Sequence, residues 1–172
     1  MLIISIRVKS AEGLTVNELY VKPGHLVRRF QQIAVAVFHA EVEAAGYDLT
    51  PVQYAALAAI STHAGLDQAT LAGLIAYDRT TITGVVDRLV QKGLVARQPS
   101  ARDRRAHELQ ITAAGKKTLR GIEPAVEAAQ KSMLRGLTAA EGKELMRLLG
   151  KAIDAGNELS RAPRRAAAAA KI

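Results

Sequence analysis

Between Gly24 and Ile153 the apolar residues return at intervals of three and four, and what breaks the rhythm is a series of helix-capping and turn residues. A chain patterned this way buries one stripe per helix and folds as a set of short packed helices. Leu26, Phe30, Ile33 and Val37 make the first stripe and predict a helix from Gly24 to about Ala45, stopping before Gly46. Thr50, Pro51 and Gln53 have the spacing of an N-cap, a first-turn proline and a capping-box partner, and Tyr54, Leu57, Ala58 and Ile60 carry a second helix towards Gly65. Asp67 is placed to cap a short third helix bearing Leu71, Leu74 and Ile75. Beyond a turn at Ala76 and Tyr77, Asp78 is placed to cap a fourth. Two capped helices about a tight turn make a helix-turn-helix.

The fourth helix puts Ile82, Val85, Val86, Leu89 and Val90 on one oily face and leaves Arg79, Thr80, Thr83, Gly84, Asp87 and Arg88 on the other. Gly93 ends it. Leu94 to Gln98 then reads as extended, Pro99 to Arg105 as a polar basic turn, and Ala106 to Ile111 as a returning strand, so a two-stranded wing follows the helix. Thr112 caps a fifth helix carrying Leu119, Ile122, Val126, Met133 and Leu134, in which Pro124 is expected to make a kink. Thr138 and Glu141 form a capping box for a sixth, with Leu145, Leu148, Leu149, Ala152 and Ile153 in its stripe. The fold class is therefore mainly α with a small β-wing. Residues 1–23, with a brief alternation at Ile4, Ile6 and Val8, form an N-terminal extension, and 161–172 a disordered basic tail without an amphipathic stripe.

Aromatic residues are only 3% of the chain and Trp is absent, so Leu, Ile, Val and Ala must fill the core, which suits closely packed helices. With no Cys there is no disulfide, thiol nucleophile or iron–sulfur site, in keeping with a reducing cytoplasm. No apolar run approaches the roughly 20 residues that cross a bilayer, and Met1 to Arg7 lacks the order of a secretory signal. We therefore expect a cytoplasmic protein with no membrane partner. The net charge of +8 is unevenly spread: the first 77 residues sum to −1, whereas residues 78–105 carry +4 and the last twelve another +4. Such clustering favours a polyanionic partner such as nucleic acid, and the helix and wing described next suit double-stranded DNA.

A helix with hydroxyls, a glycine and arginines on its free face suits the major groove, where Arg reads guanine edges and Thr meets thymine methyls. Arg79, Thr80, Thr83 and Arg88 are the candidate readers. Asp78 and Thr81 belong to the helix N-terminus, where Thr81 is placed to hold a phosphate or the terminal amides. Gly84 costs the helix about 1 kcal/mol relative to Ala, which close approach of DNA to the backbone would explain. In the wing turn Arg102, Asp103, Arg104 and Arg105 put a carboxylate two residues before a guanidinium that it can hold for a narrow minor groove.

Leu71-Ala72-Gly73-Leu74, Thr80-Thr81-Ile82-Thr83, Val86-Asp87-Arg88-Leu89, Lys92-Gly93-Leu94-Val95, Asp103-Arg104-Arg105 and Leu109-Gln110-Ile111-Thr112 occur in this order. Over residues 24–158 the chain resembles the MarR family of bacterial transcriptional regulators, and Asp103 and Arg105 match that family's wing pair. The resemblance implies a winged helix-turn-helix over residues 50–111, flanked by dimerisation helices at 24–49 and 112–160. It implies a homodimer in which the first, fifth and sixth helices intertwine, on a palindromic operator. It also implies a crevice for a small aromatic carboxylate effector, whose binding lowers operator affinity. Phe30, Phe38, His39 and Tyr54 are the candidate lining; Arg28 and Arg29 could neutralise the effector's carboxylate but are expected rather to face water. Within the family the chain looks most like repressors of aromatic-acid catabolism, those of nicotinate degradation in particular, with a hydroxylated nicotinate as effector.

Other functions fare less well. An enzyme would need a signature such as a glycine-rich phosphate loop, HExxH or a triad-like Ser and His arrangement, and none is present. A metal sensor is disfavoured because His25, His39, His63 and His107 lack paired ligand spacing; no metal and no cofactor is expected. The alternative that the basic tail keeps open is a non-specific architectural DNA-binding protein without small-molecule control.

Overall fold

A computed structural model describes residues 16–63, 65–77, 79–99, 107–160 and 163, with the backbone only for Val16, Asn17 and Arg79. Among the described residues seven helices and three strands follow in order: α1 (Val16–Tyr20), α2 (Pro23–Ala44), α3 (Pro51–Thr62), β1 (Leu66–Asp67), α4 (Gln68–Leu74), α5 (Arg79–Gln91), β2 (Val95–Pro99), β3 (His107–Ile111), α6 (Ala113–Met133) and α7 (Ala139–Ala155). A short 3₁₀ turn, Asn157–Leu159, follows α7. The expected tail, apart from Pro163, and the wing turn, apart from Pro99 at the end of β2, lie outside the described residues, as do residues 1–15 of the extension. The last part of that extension forms α1, which leans on α2 through Tyr20 and His25, ring centroids 5.4 Å apart.

The caps form as their chemistry dictates. Thr50 Oγ1 accepts from Gln53 N and Gln53 Oε1 accepts from Thr50 N, both at 3.2 Å, closing the capping box of α3. Asp67 Oδ1 accepts from Thr70 N at 2.7 Å to start α4, Thr112 Oγ1 from Gly115 N at 3.0 Å to start α6, and Thr138 with Glu141 reproduces the box at α7. Asp78, the expected cap of α5, lies outside the described residues. Helix α6 runs unbroken through Pro124.

The wing is larger than expected. β1 joins it in a three-stranded antiparallel sheet of order β1-β3-β2, with Leu66 opposite Leu109 and Val95 opposite Ile111. Two residues offer no periodicity from which to read a strand. One core unites α2, α3, α4, α5, the sheet and α6 through Phe38, Leu57, Leu71, Ile82, Leu89, Leu109 and Ile122. Gly115 is buried where α6 crosses the end of β2's approach: a Cβ there would collide with the Leu94 carbonyl oxygen and the Ile111 side chain.

The first stripe behaves differently from a core stripe. Leu26 is 52% and Ile33 47% exposed, and α2 buries Phe38 and Val42 instead. On α7 the expected stripe is likewise uncovered, with Leu148 and Ile153 exposed and Gly142 the helix's sole buried residue. Both helices thus turn apolar faces away from the protomer's own core.

Candidate nucleic-acid interface

Burial of Ile82, Val85, Val86 and Leu89 fixes the rotation of α5, so Thr80, Thr81, Thr83, Gly84, Asp87 and Arg88 are all exposed on the opposite side. Helix α4 meets α5 at its first residue, where Gln68 Nε2 donates to Thr83 Oγ1 across 2.8 Å. That bond occupies one acceptor site of the hydroxyl. The turn joining the two helices carries Ala76 at φ 56°, a left-handed backbone that costs an L-residue about 1–2 kcal/mol. Around Gly84 there is open space, so no neighbour in the protomer requires the missing side chain.

The far end of α5 is tied down in three directions. Lys92 Nζ donates to the Asp48 carboxylate at 2.7 Å and also to the Asp48 carbonyl oxygen, joining the end of α5 to the segment before α3. The ammonium holds the Asp48 carboxyl below its ordinary range, with smaller help from Arg88 and His39. Gly93, at φ 70°, turns the chain into the wing, and Thr112 Oγ1 donates to its carbonyl at 2.7 Å. On β2, Arg97 donates to Asp87 of α5 at 2.5 Å, bracing the base of the wing against the exposed helix. Arg97, Gln68 and Lys92 were not among the expected site residues; each acts through a partner ten or more positions away, which no local motif reveals. The side chain of Arg79, together with Arg102, Asp103, Arg104 and Arg105, lies outside the described residues, although the pairing of Pro99 with His107 shows where the wing turn leaves the sheet.

The candidate effector residues divide. Phe38 is buried and meets Tyr54 of α3, centroids 5.9 Å apart and tilted by 51°. His39 stands edge-on to Phe38 at 6.3 Å but is exposed. Phe30 is half-buried two turns earlier on α2, about 12 Å along the axis at 1.5 Å per residue, and does not join this group. Arg28 and Arg29 are exposed, as expected. The Tyr54 hydroxyl donates to Glu123 Oε2 of α6 at 3.4 Å. Burial raises the Tyr54 pKa above its ordinary value, and the Glu123 and Glu127 carboxylates push in the same direction. Glu123 lies 69 positions from Tyr54, beyond the reach of a sequence motif.

Among the described residues no group of His, Asp and Glu is arranged to hold a metal ion, and no helix is long and apolar enough to cross a membrane. Comparison with known proteins agrees with the geometry. Residues 47–106 match the model of the MarR family. The chain is 33% identical over 131 residues to the HTH-type transcriptional repressor NicR of Pseudomonas putida, covering 76% of this chain and 82% of that one. It superposes on BpsR of Bordetella bronchiseptica, described for regulation of its DNA binding by 6-hydroxynicotinic acid, with a TM-score of 0.73 and 29% identity over 78% of this chain and 95% of that one. It superposes also on the transcriptional repressor CouR bound to a 23-mer DNA duplex, with a TM-score of 0.72 and 26% identity over 81% and 97% of the two chains. With a curated repressor at this identity and a solved fold at this coverage, the chain belongs to the MarR family of transcriptional regulators.

Proposed function

We propose that the protein is a homodimeric repressor in the cytoplasm that holds a palindromic operator in double-stranded DNA and lets go when a small aromatic carboxylate, a hydroxylated nicotinate, binds it. The observation that carries the DNA-binding half is the exposed Thr80, Thr83, Gly84 and Arg88 face, steadied by Gln68 from α4 and Arg97 from the wing. Preorganised hydroxyls and guanidinium groups on one face are what base-edge readout needs. Arg79 at the helix start and the wing's Arg102, Arg104 and Arg105 extend the contact to phosphates and the adjacent minor groove, with Asp103 steering Arg105. Support for dimerisation comes from the bare faces of α2 and α7, since unpaired apolar faces of that kind are covered in a stable assembly.

The effector half rests on the likeness to NicR and BpsR and on the Phe38–Tyr54 pair between α2 and α3. The half-buried Tyr54 ring, backed by Phe38, offers a stacking face to a planar acid, with His39 at the exposed edge. Lys92 and Asp48 connect that region to the end of α5, so a ligand that shifts the α2–α3 junction shifts the reading helix. Such a ligand acts only through unequal affinity for the two arrangements of the dimer. Genomic fragments captured by the protein, footprinted and then titrated with 6-hydroxynicotinate test the reading. A discrete palindromic footprint that fades with ligand supports it. Uniform protection lost at modest salt would instead mark an architectural DNA binder, and a footprint indifferent to saturating aromatic acids would remove the switch.

A further inference from the structure

Gln68 is the first residue of α4 and stands on a fixed base. Asp67 before it pairs with Glu108 of β3 and caps α4 through Thr70, and Leu71 and Ala72, one turn further on, are buried. That base holds the half-buried Gln68 side chain beside α5, where its Nε2 donates to Thr83 Oγ1 at 2.8 Å. The bond spans 15 positions and ties a side chain of α4 to one on the exposed face of α5.

A threonine inside a helix divides between two rotamers, because its hydroxyl can also turn back to a carbonyl of the preceding turn. The hydroxyl and the γ-methyl share one carbon, so whatever holds the first also decides where the second points. With Oγ1 engaged by α4, the Thr83 methyl is committed to one direction. A methyl group so close to the backbone meets a base only where the duplex comes near the helix. Gly84, the next residue, contributes no side chain and has open space around it, which leaves the helix surface beside Thr83 low enough for that approach.

We infer that Gln68 is a positioning residue for sequence reading: its bond to Thr83 turns the γ-methyl towards the major groove, where it packs on the 5-methyl group of a thymine, one in each operator half-site. The contact has no hydrogen-bond polarity and selects thymine by shape and apolar area. The inference rests on the operator-binding homodimer proposed above. It adds a residue of α4 to the readout and names the base chemistry which that residue selects.

Replacing thymidine by deoxyuridine removes that methyl group and nothing else from the duplex. The probe is the operator duplex recovered by footprinting, with its thymines replaced in symmetric pairs. At one such pair the wild-type protein is expected to lose about fourfold in affinity for each buried methyl group, and so about 15-fold in all. Thr83→Ser keeps the hydroxyl without the methyl and is expected to bind the two duplexes equally. Gln68→Ala keeps the Thr83 methyl but releases it, and the penalty at that pair is expected to fall to roughly fivefold or less. Adding Thr83→Val, whose two γ-methyls do not depend on the bond, is expected to restore it to roughly tenfold or more. Each penalty is a ratio of two affinities of one protein, so partial unfolding leaves it unchanged and a merely structural role for Gln68 would not move it. A Gln68→Ala penalty equal to the wild type's, one that Thr83→Val fails to restore, or a wild-type protein indifferent to every replacement overturns the inference while leaving operator binding by α5 standing. A wild-type protein that gives no discrete footprint overturns both.

Discussion

Arg97 of β2 and Asp87 of α5 meet at 2.5 Å, so the one carboxylate on the exposed face of α5 is matched by a guanidinium from the wing. Both groups are partly open to solvent, and their value for stability is small. In the proposed DNA complex their value is larger, because an unmatched carboxylate on this face would meet phosphates. Arg97→Ala is expected to weaken operator binding by about 1–2 kcal/mol, roughly 5- to 30-fold, with little change in melting temperature. Asp87→Asn should free Arg97 for phosphate and steepen the salt dependence by roughly one contact, read from affinity against ionic strength. A thermal shift without an affinity change would assign the pair to folding.

Gly115 sits against the Leu94 carbonyl where α6 leaves the sheet. Gly115→Ala places a methyl group inside contact distance of backbone that is fixed by the Thr112 cap, and overpacking of this kind costs about 1–3 kcal/mol. Chemical denaturation should show the midpoint falling with the slope unchanged. An unchanged midpoint would mean that α6 can slide.

The turn of the helix-turn-helix stores strain at Ala76, φ 56°. Ala76→Gly removes the steric cost of a left-handed alanine and adds unfolded-chain entropy, for a net gain of about 0.5–1 kcal/mol. Denaturation of the two proteins side by side checks the sign; a less stable glycine variant would contradict it.

Asp48 should titrate below the ordinary 3.8 because Lys92 bonds and attracts its charged form. A carboxylate with a depressed folded-state value contributes stability above its unfolded value, and the contribution is lost as pH falls through the folded one. The clamp on α5 is therefore intact at neutral pH and opens only in strong acid. Lys92→Ala is expected to return the Asp48 titration, followed by carbon NMR, towards its ordinary value. No movement would place the cause elsewhere.

The caps were legible because their signal is local: Thr50 with Gln53 and Thr138 with Glu141 lie within one turn and form as read. The faces of α5 were legible because one buried stripe fixes both sides of a helix. Leu26 and Ile33 were not, since an apolar stripe looks the same whether it faces its own core or another chain. β1 was hidden by its length, and Glu123, Gln68 and Arg97 by the sequence distance to their partners. Ring type alone groups Phe30, Phe38, His39 and Tyr54, and only the fold sets Phe30 apart from the other three.

The central claim is that the exposed face of α5 reads sequence, and paired affinities on two duplexes test it most directly. Thr80→Ala combined with Arg88→Ala removes groups that are exposed and carry no core packing. Measured by fluorescence anisotropy at fixed salt, this variant is expected to lose at least tenfold in affinity for the operator, with its affinity for a scrambled duplex of equal length falling by no more than the share of one phosphate contact. Equal losses on both duplexes, or none on the operator, would contradict the account.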